Sequence, residues 1–265
     1  MNEFTFHRSA LQAIEPLLEQ YLKSLTGPVE DYWEDHILSG DLYEIRDGST
    51  PAGCFAIFEG RRLTMFYVTP AYLHEAQEIF KRVLREFHVK KAFVATSDPL
   101  FLALCLDFHR KIKGQGYFFA GEQTRSVREP EYTRECVSEI APEEIDEVNR
   151  KTDGFFSFAS RETVISGRFN IFRLSENGMD FGYGVSVPLR LIPGYHAIGM
   201  VTLPEHRRKG VGRSVLIHMA DMARENGCVP ISGCAYGNRL SKRTIESSGR
   251  CSTVRLLDVT FRRIR

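Results

Sequence analysis

The order of hydrophobic patterns along the chain occurs twice, and this repeat is the strongest constraint on the fold. Each half of the 265 residues carries a strand pattern, two helical patterns, three strands, a helix, a strand, a helix and a last strand. Val68-Thr69-Pro70 precedes a helix in the first half, and Val201-Thr202-Leu203-Pro204 precedes its counterpart in the second. Strands that alternate with helices in this way are typical of a mixed α/β fold. We therefore interpret the chain as an internal duplication of one α/β unit.

Apolar spacing and turn residues predict the individual elements and the division between the halves. The first predicted helix begins at Ala10, and Val254–Phe261 is predicted to be the closing strand of the second half. Residues 121–133 are polar and include a proline, which is typical of a linker. The sequence thus predicts a domain over residues 1–124 and another over residues 133–265.

Charge and cysteine usage exclude several classes of protein. The net charge is +1, which does not favour a general nucleic-acid-binding protein. No run of about 18 apolar residues is present to span a membrane, and the start of the chain does not resemble a signal peptide. The six cysteines show no zinc-ligand spacing, so we expect free thiols and no metal site. These features predict a cytoplasmic protein without nucleic acid, membrane or metal partners.

Positive charge is concentrated in the last quarter of the chain. Residues 201–265 hold 13 Lys and Arg against 5 Asp and Glu, although the whole chain is almost neutral. Part of this charge belongs to Arg207, Arg208, Lys209 and Arg213, which surround one turn. A local excess of positive charge favours an anionic ligand at that turn.

The turn itself has the composition of a phosphate-binding site. Arg207-x-x-Gly210-x-Gly212 lies between a predicted strand and a predicted helix. Glycines allow the backbone N–H groups of a loop to be exposed. Because the amino end of a helix also carries a partial positive charge, an anion is favoured there. The segment therefore predicts a pyrophosphate site.

This segment resembles the acyl-CoA signature of the GNAT acetyltransferase superfamily, [Arg/Gln]-x-x-Gly-x-[Gly/Ala] between the fourth strand and the third helix. A second family motif is similar to Asn238, Ser241 and Gly249, which follow the next predicted strand. The resemblance covers about residues 134–265. It implies a tandem GNAT-like acyl-CoA N-acyltransferase fold, with two domains that each have a mostly antiparallel central sheet flanked by helices.

The resemblance also implies a co-substrate and a set of residues that bind it. The implied activity is transfer of the acetyl group of acetyl-CoA to an amine of a small molecule or peptide, by direct attack on the thioester. By the resemblance, the fourth strand contacts the pantetheine arm, the glycine turn holds the pyrophosphate, and the second motif flanks the arm. The implied cofactor-binding residues are Met200, Val201, Thr202, Arg207, Arg208, Lys209, Gly210, Val211, Gly212, Arg213, Asn238 and Ser241. Asn238 also suits a helix N-cap, and both roles can coexist.

The catalytic residues are less well defined, because the sequence departs from the family pattern. Ile245 stands where many members carry a Tyr that protonates the leaving thiolate, and Arg250 stands where an aromatic residue commonly follows the glycine. Tyr236 is the nearest phenol in sequence and is our candidate acid; its alternative role is strand packing. His196 titrates near neutrality and is our candidate base; its alternative role is an ordinary histidine of the sheet.

Two further expectations concern the rest of the chain. Alignment of Pro70 with Pro204 puts Leu73, Ala76 and Glu78 at the positions of Arg207, Gly210 and Gly212, so we predict that the first half is a degenerate repeat that does not bind acyl-CoA. Glu205 and His206 are predicted to be exposed turn residues.

Two alternative functions stay open at this point. The missing Tyr at Ile245 is compatible with a non-catalytic acyl-CoA-binding or regulatory module. Tandem folds of this family also occur in aminoacyl and other acyl transferases.

Overall fold

The computed structural model describes residues 3–123 and 128–263, which form two compact units. Unit 1 comprises Met1–Tyr117 together with Val254–Arg265, and unit 2 comprises Phe118–Thr253. Four residues of the predicted linker, 124–127, lie outside the described residues. The two units differ from the predicted domains chiefly in the placement of the last strand.

Unit 1 consists of a sheet and four helices. Its helices are α1 (Glu15–Ser24), α2 (Asp31–Leu38), α3 (Ala76–Glu86) and α4 (Pro99–Phe108). Its strands are β1 (Phe4–Ser9), β2 (Asp41–Asp47), β3 (Thr50–Phe58), β4 (Arg62–Val68), β5 (Lys91–Ala95) and β14 (Val254–Phe261), while β6 (His109–Phe119) crosses into unit 2. The strand order is β1-β2-β3-β4-β5-β14. Only β4 and β5 run parallel among these neighbours.

Unit 2 repeats this arrangement. Its helices are α5 (Ile145–Lys151), α6 (Arg161–Ile165), α7 (Val211–Glu225) and α8 (Arg239–Ser247). Its strands are β7 (Gly121–Glu122), β8 (Val137–Glu139), β9 (Asn170–Glu176), β10 (Met179–Pro188), β11 (Tyr195–Thr202), β12 (Val229–Ala235) and β13 (Arg250–Cys251). The sheet order is β8-β9-β10-β11-β12, with β11 and β12 parallel and the other pairs antiparallel.

The structure therefore has the element order predicted for both halves. A strand, two helices, three strands, a helix, a strand and a helix follow one another in each unit. The two parallel pairs are also alike, because each is hydrogen-bonded over only a few residues. The last ladder partners are Leu63 with Ala92 in unit 1 and Ala197 with Ile231 in unit 2. Beyond these residues the parallel strands separate.

The closing strand β14 is placed in unit 1, whereas the sequence predicted it in the second domain. β14 pairs with β5 from Leu256–Ala95 to Thr260–Lys91. Val259 and Phe261 are buried in the hydrophobic core of unit 1. Burial of these side chains stabilises the strand in the sheet of unit 1. The sequence pattern alone predicts a strand but not the sheet to which it belongs.

Three other elements differ from the predictions. β1 is the strand that the predicted order places ahead of the first helix; its residues were not assigned from the sequence, although Phe4 and Phe6 alternate as in a strand. β6 begins at His109, and its first residues are polar and largely exposed, so no hydrophobic pattern marks them as a strand. The predicted linker also contains β7, which pairs with β13. Of the helices in the described part of the chain, none is long and apolar enough to cross a membrane.

Candidate functional site

The turn between β11 and α7 has a conformation that a glycine makes possible. A short 3-10 helix, Pro204–His206, follows β11, and α7 begins at Val211. Arg208 (φ 60°) and Gly210 (φ 81°) both have left-handed backbone angles. Such angles are costly for most residues and open to glycine. The two left-handed residues turn the chain into the first turn of the helix.

This turn contains a row of backbone donors without a partner among the described residues. The N–H groups from Arg208 to Arg213 donate to no described residue, and the first bond of the helix runs from Ser214 N to Gly210 O. Free N–H groups at the amino end of a helix carry its partial positive charge. The arrangement is therefore suited to bind an anionic group such as a phosphate.

The four predicted cations around the turn fall into two groups. Arg207, Arg208 and Lys209 are exposed and form no ion pair with any described residue. Arg213 is buried, and its Nη2 lies 2.6 Å from Glu131 Oε1. Only the first three cations are therefore open to an external anion.

The two glycines of the turn also leave room for neighbouring side chains. A Cβ at Gly210 would overlap the Cγ of Glu131. A Cβ at Gly212 would lie 2.9 Å from Met200 Sδ and 3.0 Å from Thr244 Cγ2. Gly212 thus lets α7 approach the sheet and α8 closely, a common reason for glycine at a strand-to-helix turn.

Met200, Val201 and Thr202 lie beyond the point where β11 and β12 separate. Their other edge is hydrogen-bonded to β10, as far as the pair of Thr202 with Gly182. Because the ladder with β12 ends at Ala197, the edge that faces β12 has unpaired backbone groups in the described structure. An extended ligand with amide groups can pair with such an edge as a strand does.

Ser232, which the sequence analysis did not single out, lies at this point of separation. It follows Ile231, the last residue of β12 that pairs with β11. Its side chain is buried, and its Oγ has no hydrogen-bond partner among residues 3–123 and 128–263. Buried polar groups without a partner are uncommon. No sequence signal marks this serine, because its importance depends on where the two strands diverge.

The second predicted motif lies at the start of α8. Asn238 caps this helix, since its Oδ1 accepts a hydrogen bond from Ser241 N at 3.1 Å. The cap role considered for Asn238 is thus present, and its exposed Nδ2 donates to no described residue. Ile245 is buried, so the position at which many family members carry Tyr is part of the core here.

The two candidate catalytic residues, His196 and Tyr236, are not brought together. His196 is paired with Pro230 in the parallel ladder, whereas Tyr236 follows the last residue of β12. At about 3.3 Å per strand residue, the interval from Pro230 to Tyr236 spans about 20 Å. The two side chains therefore cannot both contact one reacting atom. Tyr236 is half-exposed.

His196 has the environment of a neutral imidazole. Its Nδ1 lies 3.0 Å from Ser186 Oγ, and burial lowers the pKa of the ring below its ordinary value of 6.5. A half-buried imidazole is neutral at pH 7 under these conditions. If Nδ1 carries the hydrogen and donates it to Ser186, the Nε2 lone pair is available to accept a proton.

Arg168, which follows α6, bonds to β10 beside His196 and contacts an aromatic pair. Arg168 donates to the carbonyl of Pro188, the β10 residue that pairs with His196, at 3.0 Å. The same guanidinium lies over the ring of Phe169, which packs against the half-exposed Phe158 at 5.0 Å. Arg168 thus connects β10, the strand beside His196, to this aromatic pair.

His206 corrects a prediction made from the sequence. It was expected to be an exposed turn residue, but only 9% of it is exposed. Its ring stacks on Phe181 with centroids 4.4 Å apart, and Phe181 in turn contacts Tyr132. The histidine is therefore a packing residue of the turn. Glu205, in contrast, is exposed as predicted.

Unit 1 lacks the corresponding cradle. The 3-10 helix Pro70–Glu75 leads directly into α3, and no residue of it has a left-handed angle. Asp98 caps α4 as Asn238 caps α8, but it is buried and accepts a hydrogen bond from Tyr21 at 2.8 Å. Burial raises the pKa of Asp98 to about 6. Its carboxyl is therefore engaged inside the unit.

Comparison with protein families identifies both halves of the chain. A family model described as "Acetyltransferase (GNAT) domain" matches residues 10–122, and one described as "Acetyltransferase (GNAT) family" matches residues 122–249. Together the two matches cover most of the chain. The second match ends before β14, the strand that belongs to unit 1. No curated protein sequence matches the chain.

Solved structures resemble the chain over almost its whole length. An acetyltransferase of the GNAT family from Colwellia psychrerythraea has 18% identity and a TM-score of 0.85, and the match covers 98% of this chain and 100% of that one. A tandem GNAT protein from the clavulanic acid biosynthesis pathway has 15% identity and a TM-score of 0.59, with coverage of 97% and 98%. A GCN5-related N-acetyltransferase from Sphaerobacter thermophilus has 12% identity and a TM-score of 0.61, with coverage of 97% and 95%. At these identities the likeness shows that the chain shares the fold of these proteins.

Proposed function

The chain belongs to the GNAT superfamily of acetyltransferases, and on this premise we propose that unit 2 transfers the acetyl group of acetyl-CoA to an amine of a small molecule or peptide. Family and fold together support a general acyltransferase role. The proposal adds the acyl donor, the class of acceptor and the residues that carry the reaction.

The row of unused N–H groups from Arg208 to Arg213 carries this proposal. It lies at the amino end of α7 and is flanked by three exposed cations that form no ion pair with a described residue. Phosphate groups fit such a cradle because donors and charge are already in place. The residues present therefore fit the pyrophosphate of CoA.

The separated strands β11 and β12 offer contacts to the other part of the donor, its pantetheine arm. The free edge of Met200–Thr202 offers backbone groups to the amides of the pantetheine arm. Asn238 offers its Nδ2, and Ser241 lies one helical turn further on. When bound, acetyl-CoA supplies an activated acyl group that an amine can attack. The contribution of the protein is to hold that group beside the acceptor, which accelerates a bimolecular reaction.

His196 is the residue that we propose to accept the proton of the attacking amine. Its lowered pKa keeps the ring neutral near pH 7, and Ser186 fixes its orientation. A base near its own pKa at the working pH transfers protons efficiently. Since Tyr236 lies about 20 Å further along the strand pair, we assign it no direct part in the same proton transfer.

Unit 1 is proposed to be a repeat without donor-binding activity. Its turn is helical throughout, and the buried Asp98 occupies the position of the exposed Asn238. A carboxylate at Glu75 or Glu78 would also repel a phosphate group. We therefore place the acyl donor in unit 2 alone.

Thiol release from acetyl-CoA across a panel of small-molecule and peptide amines tests this function. We expect amine-dependent release, together with calorimetric binding of CoA. Replacement of the three open cations, as R207Q/R208Q/K209Q, should raise the Kd for CoA about tenfold or more because charge-assisted contacts to phosphate are lost. The matched control is R61Q/K90Q/K91Q, which removes three exposed cations of unit 1 and should leave the Kd within about twofold.

The possible results separate the competing functions. Binding of CoA without turnover on any amine would favour the non-catalytic module. Turnover with another acyl thioester but not with acetyl-CoA would favour an acyltransferase of different donor specificity. Absence of CoA binding would overturn the proposal.

A further inference from the structure

Glu131 and Tyr132, which precede β8, are hydrogen-bonded to the first turns of α7. The backbone N–H groups of Glu131 and Tyr132 both donate to Ser214 Oγ, at 2.9 and 3.2 Å. His218 Nε2 donates to the carbonyl of Tyr132 at 2.7 Å. Ser214 and His218 are one helical turn apart on α7, so the segment follows one face of the helix.

The side chain of Glu131 extends from this segment to the anion-binding turn. Its methylene groups lie over Gly210, where they occupy the space that a Cβ would need. Its carboxylate pairs with Arg213 in the first turn of α7, with 2.6 Å between Oε1 and Nη2. The chain therefore places one of its own anions beside the N–H cradle.

This carboxylate opposes the binding of another anion in two ways. It neutralises Arg213, which would otherwise add to the positive charge of the turn. It also occupies a favourable position for negative charge, at the amino end of a helix. More than half of the Glu131 side chain is exposed, so its charge is partly screened and its effect is moderate.

We propose that Glu131 sets the affinity of the turn for the phosphate groups of the acyl donor. The proposal rests on the proposed function, because it concerns the same site. It adds that the segment ahead of β8, which lies near the start of the second matched family region, lowers donor affinity, and that the pairing of Glu131 with Arg213 is the contact responsible.

Glu131→Gln tests the charge while it retains the shape and the contact over Gly210. We expect the Kd for CoA to fall about three- to tenfold at low ionic strength, and the gain to shrink in 0.5 M NaCl because salt screens the charge. S-acetylpantetheine has no phosphate, so its KM should be unchanged. Inorganic pyrophosphate is a second probe, because it reports on the turn even if the complete donor does not bind.

Glu129→Gln is the matched control, since it removes the same charge two residues away. Glu129 forms no ion pair with a described residue. We expect the control to change the Kd values for CoA and pyrophosphate by less than about half the effect of E131Q. Unchanged or weaker binding of both phosphate probes by E131Q would overturn the inference. Tighter pyrophosphate binding without CoA binding would support it and overturn the proposed function instead.

Discussion

At the scale of single residues, the two glycines of the turn illustrate what spacing alone can predict. Gly210 and Gly212 were recognised because glycines expose N–H groups, and their N–H groups donate to no residue that the structure describes. Their contacts with Glu131, Met200 and Thr244 depend on distant segments and were not predictable from the motif. A bulky substitution at either glycine would therefore disturb packing as well as ligand binding. For this reason the tests above alter charge at neighbouring side chains instead.

If His196 is the general base, the rate of the reaction should depend on pH through the protonation of its ring. Burial lowers the pKa of this ring, so the neutral base is present above that pKa and is lost as the pH falls through it, at a pH below the ordinary 6.5. We expect kcat/KM to fall on this acidic limb, and H196Q to remove the limb and lower kcat/KM about 10²- to 10⁴-fold, as for other general bases. The measurement is a pH profile with an acceptor amine whose own pKa lies below 5.

The choice of acceptor makes this profile specific for the protein. The unprotonated fraction of an ordinary alkylamine rises with pH over the same range and would obscure the acidic limb. An amine of low pKa is unprotonated throughout this range. Ser186→Ala serves as a second variant, because it removes the hydroxyl that orients the ring but leaves the imidazole in place. An H196Q variant that kept the acidic limb would contradict the assignment of His196 as the base.

At the scale of elements, the caps of α4 and α8 show how one position has diverged between the repeats. Asp98 and Asn238 both accept a hydrogen bond from the backbone N–H three residues later. Asp98 is buried against Tyr21, whereas Asn238 is exposed beside the separated strands. Sequence reasoning predicted both helices and the cap at Asn238. It did not give the bounds of β1 or β6, or the burial of His206, since these depend on partners distant in the sequence.

Substitutions at Asn238 separate its cap from its proposed contact with the donor. Asn238→Ala should lower the free energy of unfolding by about 1 kcal/mol, because the N-cap is lost. Asn238→Asp should keep the cap, since aspartate is equally favoured there. The aspartate has no Nδ2 donor, so we expect N238D to weaken CoA binding about five- to tenfold, in line with one lost hydrogen bond. Chemical denaturation and calorimetry measure the two effects; an N238D variant with unaltered CoA affinity would leave Asn238 as a cap only.

At the scale of the whole molecule, the boundaries of the units do not follow the order of the chain. Unit 1 contains the amino-terminal half of the chain and also β14. In agreement with this, the second family match ends at residue 249, before β14. The pattern of β14 predicted its strand conformation and bounds correctly. Its partner β5 was not predictable, because any sheet edge with apolar neighbours satisfies the same pattern. A chain cut at the predicted linker would therefore deprive unit 1 of a core strand.

Two valine substitutions test the assignment of β14 to unit 1, because each should accelerate hydrogen exchange mainly in its own unit. Val259 of β14 is fully buried in the core of unit 1, and Val187 of β10 is 3% exposed in unit 2. Truncation to alanine should cost about 1–3 kcal/mol at either site. Because local opening follows the packing of each unit, V259A should accelerate hydrogen exchange of the Lys91–Ala95 amides more than those of Tyr195–Thr202. V187A should give the reverse order. Equal acceleration of both strands by V259A would show that β14 does not belong to unit 1 alone.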